Sequence, residues 1–276
     1  MSDLFDMAGK KSLVTGGATG LGYQMARAMM RKGADVMIVA RREDVLRDSA
    51  ARLNADPLTV GTASYFPVDL GERDSIRRLS AHAIESMGGV DIFIGNAAQD
   101  FMEHIEDIQD EHIDRMLQVN VSANVELARA FVPGMRQRKW GRFLFSSSAL
   151  SVTTSPHEGI CMYTAVKGAI NNFAKTLAAE TGHDNITSNS LVLGLFYTDM
   201  IAAAEQHFRD TGGEEAARKF LEDFVGITAL GRAGRLEELE GLIQLLASNA
   251  GSYITGSNLV IDGGMSIMLR PNGIVD

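Results

Sequence analysis

The feature that most constrains the fold is a regular alternation of short apolar runs with amphipathic helical segments along the chain. Seven runs read as buried strands, at residues 11–16, 34–40, 63–70, 90–98, 141–148, 186–194 and 257–264. Helical spacing occupies residues 22–33, 43–55, 74–88, 110–138, 160–181 and 236–248. Such alternation predicts an α/β fold, a doubly wound parallel sheet of about seven strands flanked by helices.

The composition limits domain number, compartment and partners. The chain has 276 residues, five prolines and no low-complexity tract, so we predict a single domain over residues 1–276. Its net charge of −9 argues against nucleic acid as a partner. Cys161 is the single cysteine, which excludes an intrachain disulfide, and we expect it to be a small buried residue. No apolar run reaches the roughly 18 residues of a membrane span and no signal peptide is recognisable, so we expect a cytoplasmic protein without membrane contact.

A glycine-rich segment, TGGATGLG at residues 15–22, follows the first strand. Parallel sheets bind ligands beyond the carboxyl ends of their strands, so residues at these ends carry the most information. Gly16, Gly20 and Gly22 would let a phosphate approach the backbone, where the next helix points its N-terminal amides. The G-x3-G-x-G spacing differs from the better-known G-x-G-x-x-G, and a glycine turn without a ligand is the alternative.

The end of the second strand bears on which dinucleotide is bound. A carboxylate often stands here to hold the ribose 2′-hydroxyl of NAD, but this chain has Ala40 followed by Arg41 and Arg42. Arginine suits a 2′-phosphate, so the sequence favours NADP over NAD. The alternative is a solvated start of the next helix, which suits Arg42 better than Arg41.

A tyrosine and a lysine share one helix face further along the chain. Tyr163 and Lys167 stand at positions i and i+4 of a predicted helix. A nearby ammonium group favours the phenolate, so we expect Lys167, helped by an oxidised nicotinamide, to lower the pKa of Tyr163 toward neutrality. Alone, this spacing also arises by chance on many helices. Three serines, residues 146–148, end the fifth strand within reach of the same edge of the sheet. The alternative is a serine-rich loop without a functional role.

In this order and spacing, the signals resemble the short-chain dehydrogenase/reductase family, in its single-domain, Rossmann-type branch. The resemblance runs from Lys10 to about Met265. It implies cofactor binding by the following residues: Thr15, Gly16, Thr19, Gly20, Leu21, Gly22, Arg41, Arg42, Asp69, Leu70, Asn96, Ala97, Ala98, Tyr163, Lys167 and Thr198.

The resemblance also implies catalytic roles. Tyr163 would be the general acid–base, and Lys167 would lower its pKa and hold the nicotinamide ribose. Ser148 would orient the substrate oxygen, and Asn120 would anchor a water chain that feeds protons through Lys167. Ser148 stands fifteen positions before Tyr163, where thirteen is commoner in the family, so Ser147 stays open as the working serine.

Other departures from the family pattern concern the cofactor site. The family's N-A-G ends in Ala98, and its P-G after the sixth strand is Leu193-Gly194. Thr19 stands where NADP-dependent members often carry a basic residue. The preference for NADP therefore depends on Arg41 and Arg42.

The segment expected to cover the substrate lies at about residues 195–228. It is long for a connection between strand and helix, which suits a substrate lid, although ordinary packed helices would also explain its apolar residues. We expect a mainly apolar pocket contacted by Ser148, Tyr163, Phe196 and His157. The histidines show no metal-ligand spacing, and we expect no catalytic metal.

The sequence predicts an NADP-dependent enzyme that interconverts a secondary alcohol and a ketone. The resemblance adds a homotetramer or dimer. Alternatives are a dinucleotide-binding protein without turnover, NAD preference, and other carbonyl chemistry, with sugar acids or 3-oxoacyl compounds as possible substrates.

Overall fold

The strands of the described residues pair into one parallel sheet. The computed structural model describes residues 3–153 and 158–268. The strands are β1 (Lys11–Thr15), β2 (Asp35–Ala40), β3 (Ala63–Pro67), β4 (Ile92–Gly95), β5 (Gly141–Ser148), β6 (Ile186–Leu193) and β7 (Asn258–Ile261). Their order in the sheet is β3-β2-β1-β4-β5-β6-β7, and every pair is parallel. The predicted fold class is confirmed.

Helices cover both faces of this sheet. They are α1 (Gly20–Met30), α2 (Glu43–Ala55), α3 (Arg73–Met87), α4 (Asp110–Leu117), α5 (Ala123–Arg138), α6 (Cys161–Thr181), α7 (Asp199–Val225) and α8 (Glu240–Ala247). α3 ends where Gly88 adopts φ 73°, a left-handed conformation that favours glycine. Glu43 and Asp44 lie in the first turn of α2, where negative charge complements the helix dipole.

Successive strand residues enter opposite cores, because side chains alternate across a sheet. In β1, Leu13 packs with α3, α5 and α6, whereas Val14 packs with α1, α2 and α8. Both residues are fully buried. The strands therefore read as continuous apolar runs because both faces of the sheet are covered.

The strand order reverses direction between β1 and β4. From β1 the chain proceeds outward to β2 and β3, then returns to place β4 on the other side of β1. The loops after these two strands consequently diverge and leave a crevice at their carboxyl ends. This crevice is where the predicted site residues come together.

The predicted single helix over residues 110–138 is interrupted by a π-helical turn at Gln118–Ser122, between α4 and α5. Asn120 lies in this turn, and its Nδ2 donates to the carbonyl oxygens of Met116, at 2.9 Å, and Gln99, at 2.8 Å. Periodicity alone does not reveal one extra residue in a turn. Such π-turns are frequent at functional sites, and this one aims Asn120 at the loop after β4.

The segment after β6 is dominated by the long helix α7. Gly213 interrupts α7 with φ 77°, so the segment is two helical pieces joined at a kink. Phe208 and Phe220, one from each piece, stack with ring centroids 4.8 Å apart. Within residues 3–153 and 158–268, no helix combines the length and the apolar character needed to cross a membrane.

Candidate active site

A cleft of about 420 Å³ lies at the carboxyl ends of β1–β4. Twelve of the positions expected to bind the cofactor line it: Gly16, Thr19, Leu21, Gly22, Arg41, Arg42, Asp69, Leu70, Asn96, Ala97, Ala98 and Thr198. Thr15 and Gly20 belong to the same loop but do not line the cleft. Tyr163 and Lys167 line an adjoining cavity instead.

The glycine loop needs its glycines for two different reasons. Gly16 and Gly20 have φ values of 64° and 53°, which L-residues with side chains rarely adopt. Gly22 has no such strain, but a Cβ there would lie 2.1 Å from the carbonyl oxygen of Gly16. The loop is therefore folded back on the first turn of α1, which brings the backbone of both within the cleft.

Replacing Gly22 by alanine is expected to disrupt this loop. The added methyl would meet backbone, which cannot give way as a flexible side chain does, so we expect a loss of about 2 kcal/mol in the free energy of unfolding. NADPH binding should weaken as well. Gly241 in α8 is the matched control, because a Cβ there meets nothing within 4 Å. Gly241→Ala should be neutral or stabilising. Denaturant unfolding measures both, and an unaffected Gly22→Ala protein would contradict the geometry.

Thr15 holds the loops after β1 and β4 together. Its Oγ1 accepts from the backbone amides of Asn96, at 2.9 Å, and Ala97, at 3.0 Å. The Asn96 Nδ2 donates back to the carbonyl oxygens of Thr15 and Gly16. Hydrogen bonds from the side chains of Thr15 and Asn96 thus join the two loops at the floor of the cleft, and these bonds form without a ligand.

Arginines provide the positive charge of the cleft. Arg41 and Arg42 are exposed, and neither forms an ion pair with any residue the structure describes. Arg115, from α4, also lines the cleft, and its Nη2 lies 2.6 Å from Oδ1 of Asp69. Sequence reasoning missed Arg115, because nothing in a helical pattern marks which charged residue turns toward a distant loop.

A second cavity, of about 370 Å³, adjoins the cleft. Leu21, Asn96, Ala98 and Thr198 line both spaces, so the two are continuous. The second cavity holds the predicted catalytic residues Ser148, Tyr163 and Lys167, together with Phe196. One ligand could therefore lie across the cleft with its end beside Tyr163.

Three polar groups converge on this cavity. Tyr163 and Ser148 are joined by a side-chain hydrogen bond. The Nζ of Lys167 donates to the carbonyl oxygen of Ser146 at 3.0 Å and lies 5.6 Å from the centroid of the Tyr163 ring. Lys167 is only 4% exposed. The lysine is thus fixed beneath the tyrosine ring by a backbone group of β5.

Ser147 and Ser148 differ in what their hydroxyls contact. Ser147 Oγ donates to the carbonyl oxygen of Lys167, at 3.1 Å, and is 3.0 Å from Ser151 Oγ. Ser148 bonds to Tyr163 and caps the short turn that follows by accepting from Leu150 N. The hydroxyl of Ser147 therefore serves the local structure, whereas that of Ser148 accompanies the tyrosine.

Burial governs the titration of the pair. Burial raises the pKa of Tyr163; the Ser148 hydrogen bond opposes this, and the charge of Asp100 adds to the rise. Burial also lowers the pKa of Lys167 to about 8, against the opposing influence of Asp100. Burial is the largest influence on Tyr163, so the lowering of its pKa expected from Lys167 and an oxidised nicotinamide stays a prediction for the cofactor-bound protein.

Two buried polar atoms are suited to a bound dinucleotide. Thr198 Oγ1, at the boundary of the two spaces, and Asn120 Oδ1 have no hydrogen-bond partner among the residues described. Unpaired buried oxygens are costly, so each is suited to a ligand or a water that would satisfy it. Thr198, together with the glycine loop and the arginines after β2, fits a phosphorylated dinucleotide, whereas Asn120 lines neither space.

The structure places some, but not all, of the expected substrate contacts at the second cavity. Phe196 lines the second cavity but also packs in the core beside α1 and α8, and it is only 6% exposed. His157 lies outside the described residues. Ile201 and Met265 line the cavity and were not predicted, because they come from segments that meet only through the fold. Cys161, expected to be buried, is exposed at the start of α6.

Comparison with known proteins gives consistent similarities. The family described as short chain dehydrogenase matches residues 10–208. Gluconate 5-dehydrogenase of Gluconobacter oxydans is 31% identical over 97% of this chain and 98% of that protein. Dehydrogenase/reductase SDR family member 4 of Homo sapiens is 32% identical over 94% of this chain and 88% of that protein.

Solved structures extend the likeness to the fold. L-sorbose reductase from Gluconobacter frateurii, complexed with NADPH and L-sorbose, superimposes with a TM-score of 0.89 at 30% identity and covers 97% of this chain and 100% of that chain. The RhlG/NADP active-site complex of Pseudomonas aeruginosa gives a TM-score of 0.84 at 27% identity, covering 96% and 100%.

Proposed function

The chain belongs to the short chain dehydrogenase family, and on that basis we propose that it is an NADP(H)-dependent oxidoreductase that interconverts a secondary alcohol and a ketone. The observation that carries the proposal is the hydrogen-bonded Ser148–Tyr163 pair beside buried Lys167, in a cavity continuous with the cleft. A binding protein without turnover would need the glycine loop but not this trio.

The cofactor proposal depends on the two arginines after β2. Arg41 and Arg42 are free of ion pairs within the described part of the chain and line the cleft with Ala40, where a carboxylate would oppose a 2′-phosphate. Two structural relatives are complexes with NADPH or NADP. Thr198 Oγ1 would form a hydrogen bond with the nicotinamide end of the cofactor, and the Gly16–Gly22 loop would hold the pyrophosphate.

Removing both arginines is expected to change cofactor preference. In the double variant Arg41→Ala/Arg42→Ala, the affinity for NADPH should fall by about 30-fold, since two charge-assisted hydrogen bonds to a phosphate are lost, each contributing about 1 kcal/mol at these exposed positions. NADH affinity should change little. Fluorescence titration of each cofactor measures this, with Arg47→Ala on the exposed face of α2 as the control. Equal loss for both cofactors would contradict a role in reading the 2′-phosphate.

The catalytic roles follow from the geometry of the trio. A bound nicotinamide would supply or accept the hydride. Tyr163 would donate its phenolic proton to the oxygen of a ketone, and Ser148, already bonded to Tyr163, would orient that oxygen. Lys167, held by the Ser146 carbonyl, would keep the tyrosine ring in position, and Asn120 would anchor the proton supply from its π-turn.

The protonation state of Tyr163 at neutral pH suits the reduction of a ketone. Because burial raises the pKa of Tyr163, the phenol keeps its proton, which is the form that a general acid requires. Oxidation of an alcohol needs the phenolate and should therefore be favoured at alkaline pH.

We also propose that residues 195–228 form a lid over the second cavity and that the chain forms a homo-oligomer, a tetramer or a dimer. Ile201 of α7 lines the cavity, which supports the lid. Leu117, Val125 and Val260 are large apolar residues exposed on α4, α5 and β7, which supports burial against further copies.

The experiment that tests the proposed function is NADPH oxidation, followed by absorbance, with a panel of neutral ketones, keto acids and 3-oxoacyl thioesters. NADH is run in parallel. Turnover that prefers NADPH supports the whole proposal, whereas turnover that prefers NADH keeps the reaction class and overturns the cofactor. Tight NADPH binding without turnover of any compound would favour a binding protein.

A further inference from the structure

The two continuous spaces of the site differ sharply in charge. The cofactor cleft is lined by three arginines, Arg41, Arg42 and Arg115. The second cavity, by contrast, has one cation among its described lining residues, Lys167. Positive charge is thus concentrated where cofactor phosphates would lie and is scarce where a substrate would lie.

The single cation is not available to a substrate anion. Lys167 is 4% exposed, and its Nζ already donates to the Ser146 carbonyl oxygen. The remaining lining residues carry no charge: apolar side chains, among them Leu150, Leu195, Phe196, Ile201 and Met265, form most of the wall, and the others include neutral polar groups such as Asn96, the serines 146–148 and Thr198. A carboxylate placed here would lose hydration without gaining a free counter-charge from the described lining residues, which is unfavourable.

Asp100 lies in the loop that continues from Ala98, a residue that lines this cavity. Asp100 follows Gln99, whose carbonyl oxygen is held by Asn120 Nδ2 at 2.8 Å. Three residues later, Glu103 N donates to the carbonyl oxygen of Gly159 at 3.1 Å, which ties the same loop to the segment before α6. The loop that carries Asp100 is therefore fixed at both ends between the cofactor cleft and the helix that bears the catalytic tyrosine.

The charge of Asp100 is felt by the catalytic residues. It raises the pKa values of Tyr163 and Lys167 through electrostatic interaction. Partial desolvation raises the pKa of Asp100 itself, while the Phe101 amide and the charge of Lys167 oppose that rise. Asp100 is an exposed residue, so a negatively charged substrate would meet its repulsion in a form partly screened by solvent.

We propose that the enzyme selects carbonyl compounds and alcohols without a negative charge near the reacting carbon, because the described wall of the second cavity offers no free cation, and that Asp100 in the adjoining loop adds to this preference. This inference rests on the proposed oxidoreductase function and narrows its substrate class to neutral ketones and secondary alcohols. Sugar acids and keto acids are then poor substrates, despite the similarity to a gluconate dehydrogenase.

The test compares 3-oxobutanamide with 3-oxobutanoate, which have the same shape and differ in one charge. Their binding to the Tyr163→Phe protein, saturated with NADPH, is followed by cofactor fluorescence, so that no chemistry intervenes. We expect the amide to bind at least about tenfold more tightly, the effect of roughly 1.4 kcal/mol of unfavourable charge interaction.

In the Asp100→Asn background the preference should shrink by about fivefold, mainly through tighter binding of the anion. Glu85→Gln is the matched control, since it removes one exposed charge near the end of α3, which leads to the amino end of β4 and not to the carboxyl ends where the site lies, and it should leave the preference intact. Equal or tighter binding of 3-oxobutanoate would overturn the inference, as would failure of both compounds to bind. A preference unchanged by Asp100→Asn would overturn the role of Asp100.

Turnover by the wild-type protein separates this inference from the proposed function. Preferential binding of the amide without reduction of any ketone in the panel would refute the oxidoreductase and leave the charge preference standing. Reduction of 3-oxobutanoate as efficiently as 3-oxobutanamide would keep the oxidoreductase and overturn the charge preference.

Discussion

Replacing Tyr163 by phenylalanine is expected to lower turnover by about 10³-fold, the contribution of a well-placed general acid. The variant keeps the ring, so its packing in the second cavity and the contact with Lys167 are preserved. It loses only the hydroxyl that bonds to Ser148 and would donate the proton. Binding of NADPH should be unchanged within about twofold. A fall in kcat without a loss of cofactor affinity indicates an interaction that is used in the transition state.

Tyr253→Phe provides the matched control for this substitution. Tyr253 is fully exposed and remote in sequence from the site residues, so loss of its hydroxyl should leave turnover unaffected. Steady-state kinetics with the best ketone of the panel measures both variants. A Tyr163→Phe enzyme that retains most of its turnover would contradict the assigned acid.

Replacing Lys167 by methionine is expected to lower activity and raise stability at once. Burial lowers the pKa of Lys167 from its usual 10.5 to about 8, so holding the charged form at neutral pH costs about 3 kcal/mol. Methionine fills a similar volume without a charge. Losing the hydrogen bond to the Ser146 carbonyl costs about 1 kcal/mol, which reduces this gain. We expect a net gain of about 2 kcal/mol in the free energy of unfolding, with turnover reduced by at least about 100-fold.

The pH dependence of stability gives this prediction a second readout. Between about pH 8 and 10.5, the folded protein has released the Lys167 proton while the unfolded chain still holds it. The unfolded state then binds more protons, so this residue makes the wild type more stable as pH rises through that window. The contribution should vanish in Lys167→Met.

Lys175→Met, at an exposed position of the same helix, is the control and should change stability by less than about 0.5 kcal/mol. Thermal and denaturant unfolding measure the three proteins. A Lys167→Met protein less stable than the wild type would show that the lysine contributes more by its contacts than its burial costs. The interpretation that Lys167 serves catalysis at a cost in stability would then be wrong.

Much of the fold was predictable from the sequence because strand burial leaves a strong local signal. The bounds of β5 agree at both ends, since Gly141 precedes and the serines 146–148 end a strand whose centre is the apolar run at residues 143–145. The π-turn at Gln118–Ser122 was not predictable, because one additional residue hardly disturbs the apolar period. Its cause is tertiary, in that Asn120 bonds to the loop after β4.

The candidate site also combines residues that sequence patterns predict with residues that they do not. The glycine loop, the arginines after β2 and the Tyr163–Lys167 spacing are local patterns, and the structure gathers them around two continuous spaces. Arg115 and Asp100 left no pattern, because their importance comes from which loops they face. The titration of Tyr163 also could not be predicted, since desolvation depends on how deeply the fold buries the ring.

The measurement that tests the central claim most directly follows the hydrogen itself. NADPH carrying deuterium at both positions of nicotinamide carbon 4 is reacted with the best neutral ketone of the panel, and the alcohol is analysed by mass spectrometry. The account predicts one deuterium on the new carbinol carbon with wild-type protein and almost no labelled product with Tyr163→Phe. Alcohol formed without deuterium, or equal labelling by both proteins, would contradict hydride transfer assisted by Tyr163.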